Sequence, residues 1–522
     1  MTIRVTITKP GVTDAYGIAM AVGTTYTVEE NFGLSLIQQG RASDTDEFLD
    51  ERVNAPFDEV VYPLDPVGLS TDGTSLVSGD GVPISSAQKI LGCTSYSTIE
   101  EILFEQSKTG KYLMTVNESV YGNFEQALSI AEGSVSSLTK TAIAATKTGL
   151  YNAAGSVFIN SSHNVVGAWW ISDTRFLFCG KSSLAGATQN RFYLWLCDYN
   201  GGAWKVGNNS TTFDNGRAVL ELGLYSGGQA TESGILHQRS LAISPSKIVI
   251  GEYNVNTSRV AGSTNDAVRV YQSTDSGETW SELLVFNTSG NQIRHCHFVK
   301  YDEFTAKWYM GFGDLPDSAL LRWDGSSAGP SANTELYDFY KTPGWEVMHD
   351  TAGIECRSGD LTIHPQTVYY MSDNGPADTS ETYSFQVSKG APFNRIRSYN
   401  FARSDGRDPL IQCEMPNGGA FWTTLSGPLD VGADVGYRAF DIFYSPDGLN
   451  FCKVAVTRNN SSAGAASVLF NMFVNLDGQL ILSGSSARSC YLTPTSIRGG
   501  RGSLVVTVGD WDGSVATLQS TA

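Results

Sequence analysis

Two histidines separated by one residue, His295 and His297, form the most chemically suggestive local group in the chain. Side chains at i and i+2 on a β-strand share a face. The two imidazoles would then lie side by side, with Arg294 just before them and Asp314 at the end of the next predicted strand. Imidazole, guanidinium and carboxylate groups in one place could bind a metal ion or line a sugar-binding funnel.

A comparable polar group lies one repeat earlier, where His237 and Arg239 precede a predicted strand and Glu252 ends the following one. If such strands line a central channel, the candidate ligand-binding residues are Arg239, Glu252, Arg294, His295, His297, Asp314 and Asp373. The alternative is polar packing between neighbouring sheets, with each histidine hydrogen-bonded to backbone. Two histidines without a defined third ligand are a weak metal signal, so we assign no metal, no cofactor and no catalytic residue.

An acidic turn between two predicted strands indicates the elements that would position these residues. The octet at 273–280 reads Ser-Thr-Asp-Ser-Gly-Glu-Thr-Trp and follows an alternating apolar run at 268–271. Its serine and aspartate can bond nearby backbone N–H groups, its glycine can adopt a positive φ, and its tryptophan can pack beneath the turn. A later turn keeps part of the pattern. The structural residues predicted for the two turns are Ser273, Asp275, Gly277, Trp280, Asp447 and Gly448.

A repeat of about 60 residues surrounds this octet. The apolar segments 248–254, 308–314 and 368–374 begin 60 residues apart, and three looser echoes occur at 176–180, 420–424 and 480–484. Self-similarity at this period, built of short strands, predicts β-propeller blades that pack in a ring. We predict about six blades, with five or seven left open.

The octet and the repeat resemble the Asp-box β-propellers of the sialidase type over residues 150 to about 490. In that family the Asp-box is a folding device that lies away from the catalytic centre. The resemblance also implies an arginine triad, a tyrosine–glutamate nucleophile pair and an acid aspartate. The family's Arg-Ile-Pro marker is absent, and the nearest string, Arg395-Ile396-Arg397, lacks the proline and comes too late. Sialidase chemistry is therefore not favoured.

The chain before the repeat divides into three predicted parts. Residues 1–62 combine an alternating strand with a near-helical stretch, which indicates a small α+β anchoring domain. Residues 63–86 are rich in Gly, Ser and Pro and indicate a linker. A capping-box pattern before Ile102 indicates helices within 87–147, a helical neck or connector. The propeller would then occupy 148–522.

The first 60 residues resemble the small N-terminal domains of tailed-phage virion proteins. The residues that carry the resemblance are a Lys-Pro strand end at 9–10, a Val-Gly-Thr turn at 22–24 and a Leu-Ile-x-x-Gly-x-Ala helix end at 36–42. Any small α+β domain is the alternative. The resemblance implies a protein that docks on a particle through this domain.

Composition narrows the function classes. The net charge of −18 argues against nucleic-acid binding, because no strongly basic surface would face phosphates. The sequence shows neither an apolar leader nor a stretch of about 18 apolar residues, so we expect no membrane insertion. The 8 cysteines lack Cys-x-x-Cys spacing and are expected to be buried thiols. Most of the 10 tryptophans fall within strand patterns and are expected in the core.

These observations favour a structural or receptor-binding virion protein of a tailed phage, such as a tail fibre, assembled in the host cytoplasm. Its partners would be other virion proteins, through residues 1–62, and a host surface glycan or receptor, and it would be an oligomer such as a trimer. One alternative is a glycan-cleaving tail enzyme that uses the central funnel. The other is a cellular propeller that serves as a protein-interaction scaffold.

Overall fold

The computed structural model shows a chain built almost entirely of β-strands. Five strands precede the first blade. They are β1 (Thr2–Ile7), β2 (Thr25–Glu29), β3 (Ala42–Asp44), β4 (Val60–Val61) and β5 (Leu91–Ile99). The structure describes residues 2–7, 25–29, 42–44, 60–61, 90–99, 101–120, 123–142, 165–182, 190–206, 218–225, 235, 237–253, 268–286, 293, 295–313, 318–330, 336–351, 358–364, 367–372, 383–388, 395–400, 408–415, 419–425, 440–445, 452–457, 467–486 and 501–518.

The first four blades are antiparallel sheets, each made from one continuous stretch of chain. Blade 1 contains β6 (Ile102–Gln106), β7 (Tyr112–Val120), β8 (Asn123–Glu132) and β9 (Thr139–Ala142). Blade 2 contains β10 (Val165–Ser172), β11 (Arg175–Ser182), β12 (Asn190–Asn200), β13 (Ala203–Val206) and β14 (Leu220–Tyr225). Blade 3 contains β15 (Leu241–Ile243), β16 (Ile248–Gly251), β17 (Val268–Ser273) and β18 (Ser281–Phe286). Blade 4 contains β19 (His295–Asp302), β20 (Lys307–Gly313), β21 (Ser318–Trp323) and β22 (Trp345–Thr351).

Two further continuous blades and a composite one complete the set. Blade 5 contains β23 (Ser358–Ile363), β24 (Thr367–Ser372), β25 (Tyr383–Ser388) and β26 (Arg395–Asn400). Blade 6 contains β27 (Asp408–Glu414), β28 (Ala420–Leu425), β29 (Phe440–Ser445) and β30 (Cys452–Thr457). The closing blade contains β31 (Ser467–Val474), β32 (Leu480–Ser486) and β33 (Arg501–Asp510), with β5 as its fourth strand. The last strand is β34 (Ala516–Leu518), and the helical elements described are a 3₁₀ turn (His237–Ser240) and α1 (Leu336–Phe339).

The ring closes by pairing the two ends of the propeller. Strand β5 runs antiparallel to β33, from Leu91 opposite Asp510 to Ile99 opposite Ser503. Only residues 100–101 separate β5 from β6, the innermost strand of blade 1. Because one strand from the N-terminal side completes the last blade, neither end of the ring is left with an open seam. Two other strands widen blades 5 and 6, since β4 pairs parallel to β26 and β34 pairs parallel to β30.

The hydrophobic core is distributed along the seams between neighbouring blades. One cluster joins Phe104 of blade 1 to Trp195 of blade 2, and another joins Leu103 of blade 1 to Ile481 of the closing blade. Comparable clusters lie at the seams between blades 2 and 3, 3 and 4, 4 and 5, and 6 and the closing blade. A four-stranded sheet has two apolar faces, and each face is removed from water only by the next blade.

The two faces of the ring differ. In every blade the turn between the first and second strands is short, as at 107–111, 173–174 and 303–306, and these turns share one face, the short-turn face. The strand ends that are joined by the connections between second and third strands, and between blades, lie at the opposite face. Several of these connections are long, such as 143–164 and 252–267, so we call this the long-connection face.

The predicted mainly-β propeller is confirmed. All six segments of the 60-residue repeat are second strands, in blades 2 to 6 and in the closing blade. Together with blade 1, the described residues form seven blade sheets, of which six are continuous in sequence. This agrees with the range that the repeat left open. A second strand has neighbours on both edges and both faces, which explains why it carries the most regular apolar pattern.

The helical neck predicted within 87–147 is wrong, because this stretch supplies β5 and all of blade 1. The start of the propeller predicted at 148 is therefore too late. Ile102, Leu103 and Phe104 are at most 1% exposed and point to both sides of an inner strand. Such a run lacks alternation and can be mistaken for a helical one. Pairing of Ser97 with Val505, far along the chain, overrides the local capping pattern.

The N-terminal region contains one described sheet, with β1 between β2 and β3. The alternating strand predicted at its start is present as β1. Residues 30–39 of the near-helical stretch and the predicted linker at 63–86 lie outside the described residues. The boundary of the anchoring domain at residue 62 therefore stays a prediction.

Candidate functional site at the channel mouth

The 3₁₀ turn His237–Ser240 lies within the central channel. It comes just before β15, the innermost strand of blade 3, and contacts the innermost strands of blades 2 and 4. It also contacts β31 of the closing blade, which is not a neighbour of blade 3 around the ring. The turn therefore narrows the channel at the long-connection face, where the innermost strands begin.

Gln238 attaches this turn to blade 2. Its side chain accepts a hydrogen bond from Ala168 N at 3.1 Å and donates one to Ala168 O at 2.6 Å. Trp169 Nε1 donates to Gln238 O at 2.8 Å. An innermost strand has no further strand on its channel side, so these bonds satisfy backbone groups that would otherwise lack a partner. Arg239, the next residue, is half-buried on the same turn.

His295 and His297 lie together at the start of β19, as the sequence predicted. Their Nε2 atoms are 2.9 Å apart and each side chain is 1% exposed. The pairing of β19 with β20 shifts register between Cys296 and Phe298, so His297 sits at a bulge. The Tyr253 ring stacks on His295 with centroids 4.0 Å apart. A side chain at Gly313 would place its Cβ 2.4 Å from His297 Cε1, so the bulged imidazole requires glycine there.

Glu252 belongs to the same corner of the seam between blades 3 and 4. Its carbonyl accepts a hydrogen bond from Cys296 N at 2.8 Å, which joins it to the histidine strand. Its carboxylate is buried and accepts a bond from Arg269 N at 2.9 Å, with Arg269 Nη1 3.9 Å away. Burial, reinforced by the Glu252 charge, raises the pKa of Tyr271. The carboxylate is thus held by backbone and by a cation within its own blade.

The structure brings together four of the predicted channel residues: Arg239, Glu252, His295 and His297 lie on the turn, strand end and strand that meet at this seam. The other three, Arg294, Asp314 and Asp373, lie outside the described residues. Tyr253 is a member that sequence reasoning missed. Its position next to Glu252 was the available signal, because an aromatic ring at the end of a strand can cover a neighbouring imidazole.

The acidic octet forms a closed turn between β17 and β18, away from the channel residues. Ser273 Oγ donates to Asp275 Oδ1 at 2.8 Å and accepts from Gly277 N at 2.9 Å. Asp275 Oδ1 also accepts from Thr279 N at 2.9 Å. These bonds, led by those from Thr279, lower the pKa of Asp275 to about 2. Trp280 Nε1 donates to Gly277 O at 3.1 Å, and Gly277 has a φ of 90°.

A second acidic turn, with the sequence Trp-Asp-Gly-Ser, begins at the end of β21. Asp324 Oδ1 accepts from Ser326 N at 2.7 Å and from Ser327 N at 2.8 Å, while Trp323 Nε1 donates to Ser327 O at 2.9 Å. These backbone bonds outweigh burial and lower the pKa of Asp324. The turn predicted at Asp447 and Gly448 lies outside the described residues. The described acidic turns therefore use carboxylates to order backbone.

A charge network centred on the buried Asp360 crosses the seams of blades 4, 5 and 6, and the sequence analysis missed it. Asp360 accepts a hydrogen bond from Gln412 N at 2.8 Å, and its Oδ1 lies 3.2 Å from Lys300 Nζ. Glu414 Oε1 lies 3.9 Å from the same Nζ. Burial alone would lower the pKa of Lys300, but the two carboxylates outweigh it and the pKa is raised. These residues come from three separate repeats, so no local pattern could reveal them.

Glu105 is a second polar residue that bridges a seam. Its Oε2 accepts a hydrogen bond from Trp170 N of blade 2 at 2.8 Å. Burial raises the pKa of Glu105 to about 7, although this bond opposes the shift. The carboxyl of this inner strand is thus harder to ionise than an exposed glutamate. The sequence offered one weak signal, an acid directly after three apolar residues.

Two predicted structural roles agree with the described side chains. Trp169, Trp170, Trp195, Trp308, Trp345 and Trp422 are all at most 8% exposed. Cys179, Cys197, Cys296 and Cys413 are buried free thiols, and Cys93 is a half-buried one. Among the described residues no group of three or more His, Cys, Asp or Glu side chains is arranged to hold a metal ion. No helix in the described part of the chain is long and apolar enough to cross a membrane.

The comparison with known proteins finds similar solved structures but no matching family. No protein-family model matches the chain, and no curated protein matches it. Among similar structures, the β-propeller domain of the Trilobed protease from Pyrococcus furiosus has a TM-score of 0.37 and 10% identity, covering 81% of this chain and 96% of that one. An α-L-arabinofuranosidase from Fusarium graminearum has a TM-score of 0.34 and 11% identity, covering 80% and 96%. An α-L-arabinanase from Penicillium chrysogenum has a TM-score of 0.31 and 12% identity, covering 83% and 98%.

Proposed function

We propose that this chain is a structural or receptor-binding protein of a tailed-phage virion, anchored through residues 1–62 and presenting its propeller to the host surface. The observation that carries the proposal is the polarity of the ring. Strand β5 leads through residues 100–101 into β6, which begins at the long-connection face. The other end of β5, near residue 90, therefore lies at the short-turn face. The chain therefore enters the ring at the face opposite the channel-mouth residues, while β4 of the N-terminal region pairs with the last two residues of β26 at the long-connection face.

This polarity suits an adhesive appendage because the channel mouth opens on the face opposite the point at which the chain enters the ring. At that mouth Arg239 is half-buried, and the buried Glu252, His295 and His297 lie beneath it. Long connections on a rigid scaffold are where proteins usually place binding residues. Assembly as an oligomer such as a trimer would multiply weak contacts with a glycan by avidity.

The test uses the full chain and the particles in the lysate from which it is recovered. We expect antibodies against the chain to label the tails of these particles, and the pure chain to bind immobilised host polysaccharide saturably without releasing reducing ends. Arg239→Gln should weaken this binding, whereas Lys108→Gln, which removes a positive charge in the short turn after β6, should not. Absence of label on the particles together with absence of polysaccharide binding would refute the proposal.

A glycan-cleaving enzyme is the second candidate, and one observation favours it. Glycoside hydrolysis needs a carboxylic acid that is protonated near neutral pH, and burial raises the pKa of Glu105 to about 7. Release of reducing ends from host polysaccharide, abolished in Glu105→Gln but not in Glu303→Gln, would support the enzyme. Binding without product release would support the adhesive protein.

A further inference from the structure

We infer that His295 and His297 form an acid-sensitive latch, in which uptake of a second proton opens the channel end of β19 and releases the 3₁₀ turn that narrows the channel. The inference goes beyond the proposed function and does not depend on it. The latch consists of the two imidazoles, Cys296 between them, and the segment 252–253, which bonds to this end of β19.

The hydrogen bond between the two rings is the first argument. The Nε2 atoms of His295 and His297 are 2.9 Å apart, so one ring donates its Nε2 proton and the other accepts it. A first added proton can go to Nδ1 of the donor ring and leaves this bond in place. A second one has to go to Nε2 of the acceptor ring, because that ring already carries its proton on Nδ1. Two N–H groups would then point at each other between two cations, and the closed arrangement is lost.

The packing around the rings is the second argument, because it prevents them from separating in place. Each of the two side chains is 1% exposed. Tyr253 stacks on His295 with ring centroids 4.0 Å apart, and the His297 ring lies against Gly313, where a Cβ would be 2.4 Å from Cε1. Water therefore does not screen a second charge while the latch is closed, and two like charges in a buried position are unfavourable.

The charges around β19 do not offset a second proton. The charged and titratable residues described on β19 and on the elements packed against it are Arg239 on the turn, Glu252 and Tyr253 after β16, Arg269 and Tyr271 on β17, Lys307 and Tyr309 on β20, Asp360 on β23, and Cys296, Lys300 and Asp302 on β19 itself. Glu252 lies 3.9 Å from Arg269 Nη1, and Asp360 lies 3.2 Å from Lys300 Nζ. These two carboxylates already serve cations.

The direction of the pH dependence follows from proton uptake. Exposed imidazoles take up a proton between about pH 8 and pH 5, so the open state binds more protons than the closed one. The closed latch is therefore favoured at higher pH and is lost as the pH falls. The turn His237–Ser240 packs against β19 and, across the channel, against β31. Opening of the latch removes one of these supports, and acid thereby widens the channel mouth.

The experiment uses Cys296 as a built-in reporter. This thiol is buried between the two histidines, and a Cβ on Gly251 would lie 2.4 Å from its Sγ. The folded full chain is treated with dithiodipyridine, a disulfide reagent that modifies thiols at acidic pH, and the labelled cysteines are identified by peptide mass spectrometry. We expect the labelling rate of Cys296, relative to that in the unfolded chain, to rise at least about tenfold from pH 7 to pH 5, whereas the buried Cys179 and Cys413 stay protected.

Variants of the pair separate the latch from a general effect of acid. His295→Gln and His297→Gln each leave one imidazole beside a neutral hydrogen-bonding partner, so both should lose most of the rise at the reporter thiol. His364→Gln changes a half-buried histidine after β23 and should keep the rise. Labelling of Cys296 that is equal at pH 7 and pH 5, an equal rise at Cys179, or a full rise in both variants of the pair would overturn the inference. The wild-type pattern decides the matter even if a variant fails to fold.

Discussion

Replacing Glu105 by glutamine should stabilise the chain at alkaline pH and leave it almost unchanged at acidic pH. The carboxyl accepts a hydrogen bond from Trp170 N across the seam between blades 1 and 2. A glutamine carbonyl can accept the same bond without carrying a charge. The substitution therefore removes the cost of ionising a carboxyl in a buried position and keeps the contact that crosses the seam.

The magnitude follows from the pKa. Burial raises the pKa of Glu105 from 4.5 to about 7, and one pKa unit corresponds to about 1.4 kcal/mol. The full difference in the free energy of unfolding between the variant and wild type would be about 3.4 kcal/mol. Part of the side chain remains accessible to solvent, which screens some of this cost, so we expect about 1–3 kcal/mol. Because the folded pKa is raised, the stability from the protonated form is complete below pH 4.5 and is lost as the pH rises through 7.

Urea unfolding of wild type and Glu105→Gln, followed by tryptophan fluorescence at pH 5 and pH 8, measures this difference. The variant should have the higher unfolding midpoint at pH 8, and the two midpoints should converge at pH 5. Glu303→Gln makes the same chemical change at an exposed position after β19 and should shift neither midpoint appreciably. A variant less stable than wild type at pH 8, or equally stabilised at both values, would refute the reasoning.

Three further perturbations test the turns, the seams and the histidine pair. Asp275→Ala should lower the free energy of unfolding by about 1–2 kcal/mol, because the hydrogen bonds to the carboxylate are lost. Since the pKa of Asp275 is lowered to about 2, the difference between the variant and wild type in urea unfolding should vanish as the pH falls from 4 towards 2. Asp360→Asn should lower the free energy of unfolding by about 3 kcal/mol, because the Lys300 ammonium loses its nearer carboxylate. Adding Lys300→Met to the same chain should recover part of the decrease in the urea unfolding midpoint. Gly313→Ala should lower the free energy of unfolding by about 1–3 kcal/mol, because the added methyl group overpacks against His297. In thermal unfolding, the Gly313→Ala, His297→Ala double variant should recover part of this loss.

Sequence reasoning worked best where local pattern and long-range packing require the same residues. The second strand of each blade is sandwiched on both edges and both faces, so 248–251 and 308–313 are almost wholly apolar and easily aligned. The octet at 273–280 was recognisable because its hydrogen bonds join residues within a few positions of one another. Both features are local in sequence, and both are present in the structure.

Blade 1 was missed because the forces that shape it are not local. Its first strand follows Ser97-Thr98-Ile99-Glu100, which has the signature of a helix start. The structure instead uses Ser97 to Ile99 as the edge partner of β33, about 400 residues later. A helix in water is only marginally stable without tertiary packing, so the formation of a full ladder that also closes the ring decides the outcome.

The candidate site shows why polar residues on innermost strands are hard to interpret from sequence. Each such strand presents an unpaired edge to the channel, and a neighbouring blade often satisfies it with a side chain. Glu105 does this for Trp170 N, Gln238 for Ala168 and Asp360 for Gln412 N. A ligand site would use the same residue types. Glu105, Gln238 and Asp360 bond the backbone of a neighbouring blade, whereas the Nε2 atoms of the histidine pair face each other. We therefore assign these seam-crossing side chains chiefly to ring closure, with catalysis by Glu105 left to its own test.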